Sequence, residues 1–211
     1  MVNSRRLAAV VSEALAMPLT STVQHARNLR EAPRPLIAQG GRGRHVPEMS
    51  HEDAAALVCA VLASDAVGAS VATVTSLRKL KAQYHGHHWG GRGEEAADLG
   101  VPAFRLDIGP DHDVVGGMAA LLRFFGREAA YLAELNHFLM EPHAVWATFE
   151  VEYPQHFASI SIGVRNVVSQ SWTFGRRAFA RTEQIRRCRQ NALREIAHSL
   201  ATDTERASIF S

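Results

Sequence analysis

Three clusters of side chains have types and spacings that chemistry can use. His85, His87 and His88 in "HGHHW" place three imidazoles within four residues, a donor set that suits zinc, copper or nickel. Asp107, Asp111, His112 and Asp113 in "DIGPDHD" combine carboxylates with an imidazole, the materials of a hydrolase site. The third cluster is of another kind. "QGGRGRHVPEMS", Gln39–Ser50, sets Arg42, Arg44 and His45 among glycines, and cationic side chains on pliable backbone suit phosphate oxygens.

Neither of the first two clusters is completed elsewhere in the chain. There is no HExxH, no cysteine pair, no GxSxG, no P-loop and no dinucleotide fingerprint. Short histidine runs in glycine-rich text commonly stand exposed and unliganded, and aspartates ahead of an apolar run are at home beside the positive end of a helix dipole. No catalysis, metal or cofactor is therefore expected. Cys59 and Cys188 are the only cysteines, too few for a disulfide framework, and Cys59 within "AAALVCAVLA" reads as a small core residue.

The 211 residues are 46% hydrophobic and carry a net charge of +2, enough apolar content for a sizeable core and no overall polarity toward a partner. The charge is unevenly placed. Residues 1–47 hold seven basic and two acidic side chains, residues 92–115 two and six, and residues 174–194 seven and one. Two basic stretches thus flank an acidic middle. The apolar opening "MVNSRRLAAVVSEALAM" is interrupted by Ser12 and Glu13, which favours an amphipathic helix over a signal peptide. No stretch is long enough to span a membrane, so a cytoplasmic, nucleoid-associated location is expected.

The elements that must position these groups follow from periodicity. Leu7, Val10, Val11, Ala14 and Leu15 recur at helical spacing over 4–16, with Ser4 as cap. After "MPLT", Thr20 or Ser21 caps a second helix to Ala32, with Val23, Ala26 and Leu29 on its inner face. Pro33 and Pro35 end it. "LIAQGGRGRHV" then reads as two extended arms around a glycine-rich tip. Ser50 opens a third helix with a capping box in "SHED", and its apolar run extends to Ser64. Further helices are expected over 69–84 and 112–139, with a loop or domain boundary over 85–98 and a short strand in "VPAFRLDIG". Val145, Ala147, Phe149 and Val151 alternate with polar neighbours, as do Ile160 and Ile162, which predicts three antiparallel strands in "HAVWATFEVEY", "ASISIGVRNVV" and "SQSWTFG". A basic helix over 178–200 closes the chain.

The first 47 residues resemble a winged helix-turn-helix, the DNA-binding module of many bacterial and phage transcription regulators. The parts come in the same order: a support helix "LAAVVSEALAM", a turn "PLT", a recognition helix "STVQHARNLREA" and a wing "AQGGRGRHV". Ala16 and Met17 stand in the turn where such sequences often carry glycine. The resemblance implies a recognition helix in the major groove, with Thr20 and Ser21 near a phosphate. Thr22, Gln24, His25, Arg27 and Asn28 would face the bases, and Arg42, Arg44 and His45 on the wing would reach the backbone or the minor groove.

The expected fold is α+β and mainly helical. A winged helix-turn-helix over 1–48 would precede a C-terminal domain over 49–211 holding a helical middle, a small antiparallel sheet and a closing helix. The expected function is sequence-specific binding of double-stranded DNA in transcriptional control, as a homodimer on a palindromic operator. Helix 50–64 and the strands around Trp146 are the expected dimer surfaces. The alternatives are a phage DNA-packaging or replication-initiation protein, and a protein-interaction module whose C-terminal domain holds a protein partner.

Overall fold

A helix that is apolar on every side is stable only when it is surrounded, and "AAALVCAVLA" supplies such a helix. In the computed structural model, which describes residues 2–39, 47–89, 106–139, 144–153, 157–164, 168–176 and 184–201, helix α3 (His51–Ala63) is buried along its whole length from Asp53 onward. The capping box forms as its sequence predicts: the Ser50 hydroxyl accepts from the Asp53 amide, and Asp53 accepts from the Ser50 amide. Total burial also corrects an expectation, since α3 has no free face to offer a second copy.

The other elements pack around it. They are α1 (Ser4–Ala14), α2 (Leu19–Glu31), α4 (Ser70–Leu77) after a short turn of 3-10 helix, β1 (Ala82–Trp89), α5 (Val114–Phe125) and α6 (Glu128–Leu139). Strands β2 (Val145–Tyr153), β3 (Phe157–Val164), β4 (Val168–Phe174) and β5 (Gln184–Arg189) follow, and α7 (Gln190–Leu200) closes the order. The fold is α+β and mainly helical.

The three expected strands form the centre of a larger antiparallel sheet with order β1-β4-β3-β2-β5. Phe149 pairs with Ile160 on one side and with Cys188 on the other, and Ile160 pairs with Trp172. All four side chains face the helices and are almost wholly buried. Two strands are unexpected, one in place of the end of the helix over 69–84 and the start of the loop over 85–98, the other in place of the start of the closing helix. Residues 82–89 form edge strand β1 on β4, and residues 184–189 form edge strand β5 on β2, so the closing helix starts only at Gln190. The expected helix over 112–139 divides into α5 and α6, and Leu106–Gly109 is not a strand.

Among the described residues there is one core. Leu7, Val11, Ala26 and Leu29 from the first two helices belong to the same buried cluster as Phe149 and Ile196. A boundary at residue 48 therefore separates no second core. Leu36–Gln39, the first expected wing arm, makes no ladder; the Leu36 amide donates to the Leu29 carbonyl, and the Ala38 amide donates to Asp53. The wing tip with Arg42, Arg44 and His45 lies outside the described residues.

Helix α1 is capped by Asn3 rather than Ser4, through the Arg6 amide at 2.9 Å. It ends in a Schellman motif: Met17 N donates to Ser12 O, and Ala16 N donates to Glu13 O. Ala16 accordingly has φ of +51°, a conformation in which a Cβ crowds the following carbonyl. Ala16→Gly removes that crowding at the cost of a floppier unfolded chain. A net gain of about 0.5–1 kcal/mol is expected in urea denaturation. A loss of stability would show that the turn does not hold this geometry.

Candidate nucleic-acid interface

Helices α1 and α2 are joined by the four residues Leu15–Pro18, a connection short enough to fold the second helix back on the first. Pro18 stands at the cap position of α2 without a side-chain hydrogen bond, which puts Thr20 and Ser21 inside the first turn instead of at the cap. Thr20 is exposed and Ser21 half-buried beside the helix's free amides.

The rotation of α2 differs from the expected one. Thr22, His25, Ala26 and Leu29, at i, i+3, i+4 and i+7, form its buried face, while Val23 is 40% exposed. Thr22 and His25 are consequently not surface groups. The Thr22 hydroxyl donates to the Pro18 carbonyl at 3.2 Å, and His25 Nδ1 lies 2.8 Å from Ser70 Oγ. Ser70 spends its own hydrogen on the Val67 carbonyl, so it can only accept from His25, and Nδ1 carries the ring hydrogen.

Asn28 is also committed to the scaffold. Its Nδ2 donates to the Val67 carbonyl at 2.8 Å, and its Oδ1 accepts from Gln24 at 2.9 Å. Thr20, Val23, Gln24 and Arg27 remain as the outward stripe, one turn apart on a single helix face. Of the expected base-facing residues, the structure thus places Gln24 and Arg27 outward and Thr22, His25 and Asn28 against the protein.

Burial, aided by the positive charge of Arg186, holds the His25 pKa below its usual 6.5. The folded protein favours neutral His25, so below pH 6.5 the unfolded chain takes up the proton more readily. The stability that this contributes is complete above that pH and is lost as the pH falls below it. Comparing urea midpoints at about pH 7.5 and about pH 5.5, wild type should lose more than His25→Gln. Equal losses would remove His25 as the source.

Sequence reasoning missed part of the basic surface. Because α2 returns along α1, the first turn of one helix meets the last turn of the other, and Arg5, Arg27 and Arg30 line one groove of about 180 Å³ with Val23 and Ser4. The hairpin topology is the signal that could have joined Arg5 to Arg30. Glu31 bridges two of these cations, lying 3.0 Å from Arg27 and 3.7 Å from Arg30. Arg5 has no acidic partner among the described residues. Residues 2–39 hold five arginines against two glutamates.

The second basic stretch has another use. Arg186 donates to the carbonyls of Leu62 and Ser64 and so satisfies the end of α3. Arg187 pairs with Glu150 across the strands at 2.6 Å, and Arg194 holds the buried Glu128. Arg177 and Arg181 lie outside the described residues; Arg176 and Arg189 are exposed.

The histidine run is strand β1, bent by a bulge at His85 and Gly86, and Gly86 at φ +97° takes a conformation that favours glycine. His85 Nε2 contacts Thr173 Oγ1. Asp113 caps α5 through the Gly116 amide, and His112 Nδ1 accepts from the Gly109 amide. No three His, Cys, Asp or Glu side chains gather around a possible metal position among the described residues. Burial pushes the Cys188 thiol up to about 12 and the Cys59 thiol higher still. No helix among the described residues is long and apolar enough to cross a membrane.

Compared with family models, with characterised proteins and with solved structures, the chain matches none.

Proposed function

We propose that the chain binds double-stranded DNA through α1 and α2 and acts in transcriptional control, with two copies reading a palindromic operator in the bacterial cytoplasm. The observation that carries this reading is the convergence of Arg5, Arg27 and Arg30 on one groove beside the outward stripe Thr20–Gln24–Arg27. Guanidinium groups so placed neutralise phosphates and release counterions, while Gln24 is of the type that reads an adenine edge. Thr22, His25 and Asn28 then serve as the supports that fix the helix angle, and base contact falls to fewer residues than the sequence suggests. Arg42, Arg44 and His45 add phosphate contacts from the segment between α2 and α3. A single two-helix unit buries too little surface for tight binding, hence the dimer.

The test is fluorescence anisotropy on duplex selected from a random pool, repeated from about 50 to about 200 mM salt. Replacing Arg5, Arg27 and Arg30 together by alanine should lower the slope of log affinity against log salt by roughly 2.7, about 0.9 for each lost phosphate contact. An enriched two-fold symmetric sequence supports the dimeric reader. An unchanged slope, or no retention of duplex by the wild type, overturns the assignment.

A further inference from the structure

Over its first two turns, helix α2 hides polar side chains and shows apolar ones. Thr22 and His25 are 0% and 4% exposed, while Leu19 and Val23 stand 50% and 40% exposed. Burying a hydroxyl and an imidazole requires specific partners, here the Pro18 carbonyl and Ser70, whereas the two aliphatic side chains forgo burial. Leu19, Val23, Tyr84 and Ile185 are the large hydrophobic residues that stand exposed among the described residues, and the first two lie one helical turn apart. A single exposed leucine is ordinary, but an aliphatic pair beside a cationic groove is a patch with a direction.

The surroundings of the pair define the chemistry of its partner. At about 100° per residue, the positions follow one another round the helix from the α1 side as Ala26, Leu19, Val23, Thr20 and Gln24. Val23 and Ala26 line the groove of Arg5, Arg27 and Arg30, and Arg30 reaches across to Ser4 of α1. Gln24 stands on the far side. It gives one amide hydrogen to Asn28, which leaves its carbonyl oxygen and second hydrogen to a further partner. Across the helix the order is therefore cations, aliphatic side chains, then a donor and acceptor pair. Across the major groove, starting from the thymine strand of a T·A pair, the order is phosphate, the thymine 5-methyl, then the donor and acceptor edge of adenine. The two orders match, and among the four bases thymine alone presents a methyl group there.

We propose that Leu19 and Val23 are specificity-determining residues that select thymine by packing against its 5-methyl group, beside the adenine edge met by Gln24. This inference rests on the duplex-binding reading and adds to it an A·T pair under the first two turns of α2 in each half-site. The aliphatic pair leaves water only on DNA that carries the methyl group, and so it discriminates thymine from cytosine and from uracil.

The experiment takes the duplex that the wild type retains from the random pool and replaces its thymines by deoxyuridine one at a time, which removes one methyl group and keeps base pairing. At one or two positions per half-site, the affinity of the wild type should fall about fourfold, the value of one buried methyl-sized group. The double variant Leu19→Ala, Val23→Ala should bind the thymine duplex about tenfold more weakly and no longer distinguish thymine from deoxyuridine at those positions. Both side chains are exposed in the free protein, so the variant should keep the melting temperature of wild type. Deoxyuridine tolerated at every position, or a preference for thymine that persists undiminished in the variant, overturns the assignment and leaves the duplex-binding reading standing. A wild type that retains no duplex overturns both. A second copy of the chain is the rival occupant of the pair, and a variant of lower mass than wild type in light scattering without DNA would assign the pair to it and overturn the proposal.

Discussion

Arg194→Ala is expected to destabilise the fold by about 3–5 kcal/mol, a large part of what a domain of this size possesses. The guanidinium of Arg194 meets both carboxylate oxygens of Glu128, at 2.5 and 2.6 Å, and also donates to the Val145 carbonyl at 3.0 Å. It lies 5.5 Å from the centre of the Phe125 ring as well. One side chain therefore ties α7 to α5, α6 and β2. Glu128 is only 6% exposed, and without its partner it must stay charged in a poorly solvated position or take up a proton. Replacing both members, Arg194→Met with Glu128→Leu, removes the uncompensated charge and should recover most of the loss. Urea unfolding of the wild type and the two variants is the check. A single variant within about 1 kcal/mol of wild type would mean that water reaches Glu128.

The second large effect concerns Gly117 on α5. Glycine inside a helix ordinarily costs up to about 1 kcal/mol relative to alanine, so replacement should help. Here a Cβ would stand 2.7 Å from the tip of the Phe174 ring and 3.1 Å from Ile160 Cδ1, and both of those side chains are fully buried. α5 can approach the sheet only because this position has no side chain. Gly117→Ala should therefore destabilise by about 1–2 kcal/mol despite its better propensity, and Gly117→Leu by about 3 kcal/mol or more. Gly68, whose Cβ would meet nothing within 4 Å, is the control, and Gly68→Ala should be near neutral. Thermal melts of the three proteins decide it; a stabilised Gly117→Ala would mean that the sheet yields.

Where side-chain burial follows hydrophobicity, the sequence was legible. The alternation in β2 and β3 and the capping box of α3 appear in the structure as their patterns predict. Three failures have separate physical causes. In β1, the bulge at His85 and Gly86 shifts the register, so that no single period of two runs through the strand. In β5, the inward positions are Arg186 and Cys188, and an arginine used to satisfy the carbonyls at the end of α3 hides the apolar face. On α2, the buried stripe contains Thr22 and His25, polar residues whose place depends on Pro18 and on Ser70. A contact across 45 residues leaves no trace in a helical period. The groove arginines were visible as charge but not as a site, because their meeting depends on how α2 folds back.

The packing of α1 has a consequence for the order of events during synthesis. α1 rests on α2, α3 and α7, the first described helix against the last. Such contacts join residues far apart in sequence, and these form late and slowly. At a ribosomal pace of about 5–20 residues per second, the apolar stripe of Leu7 and Val11 waits on the order of ten seconds for α7 to emerge. The two helices proposed to meet DNA are thus made well before α7 and are among the last to be locked in place. A nascent or truncated chain carries their arginines without a fixed geometry to present them, so any competence to bind duplex arrives only with the finished fold.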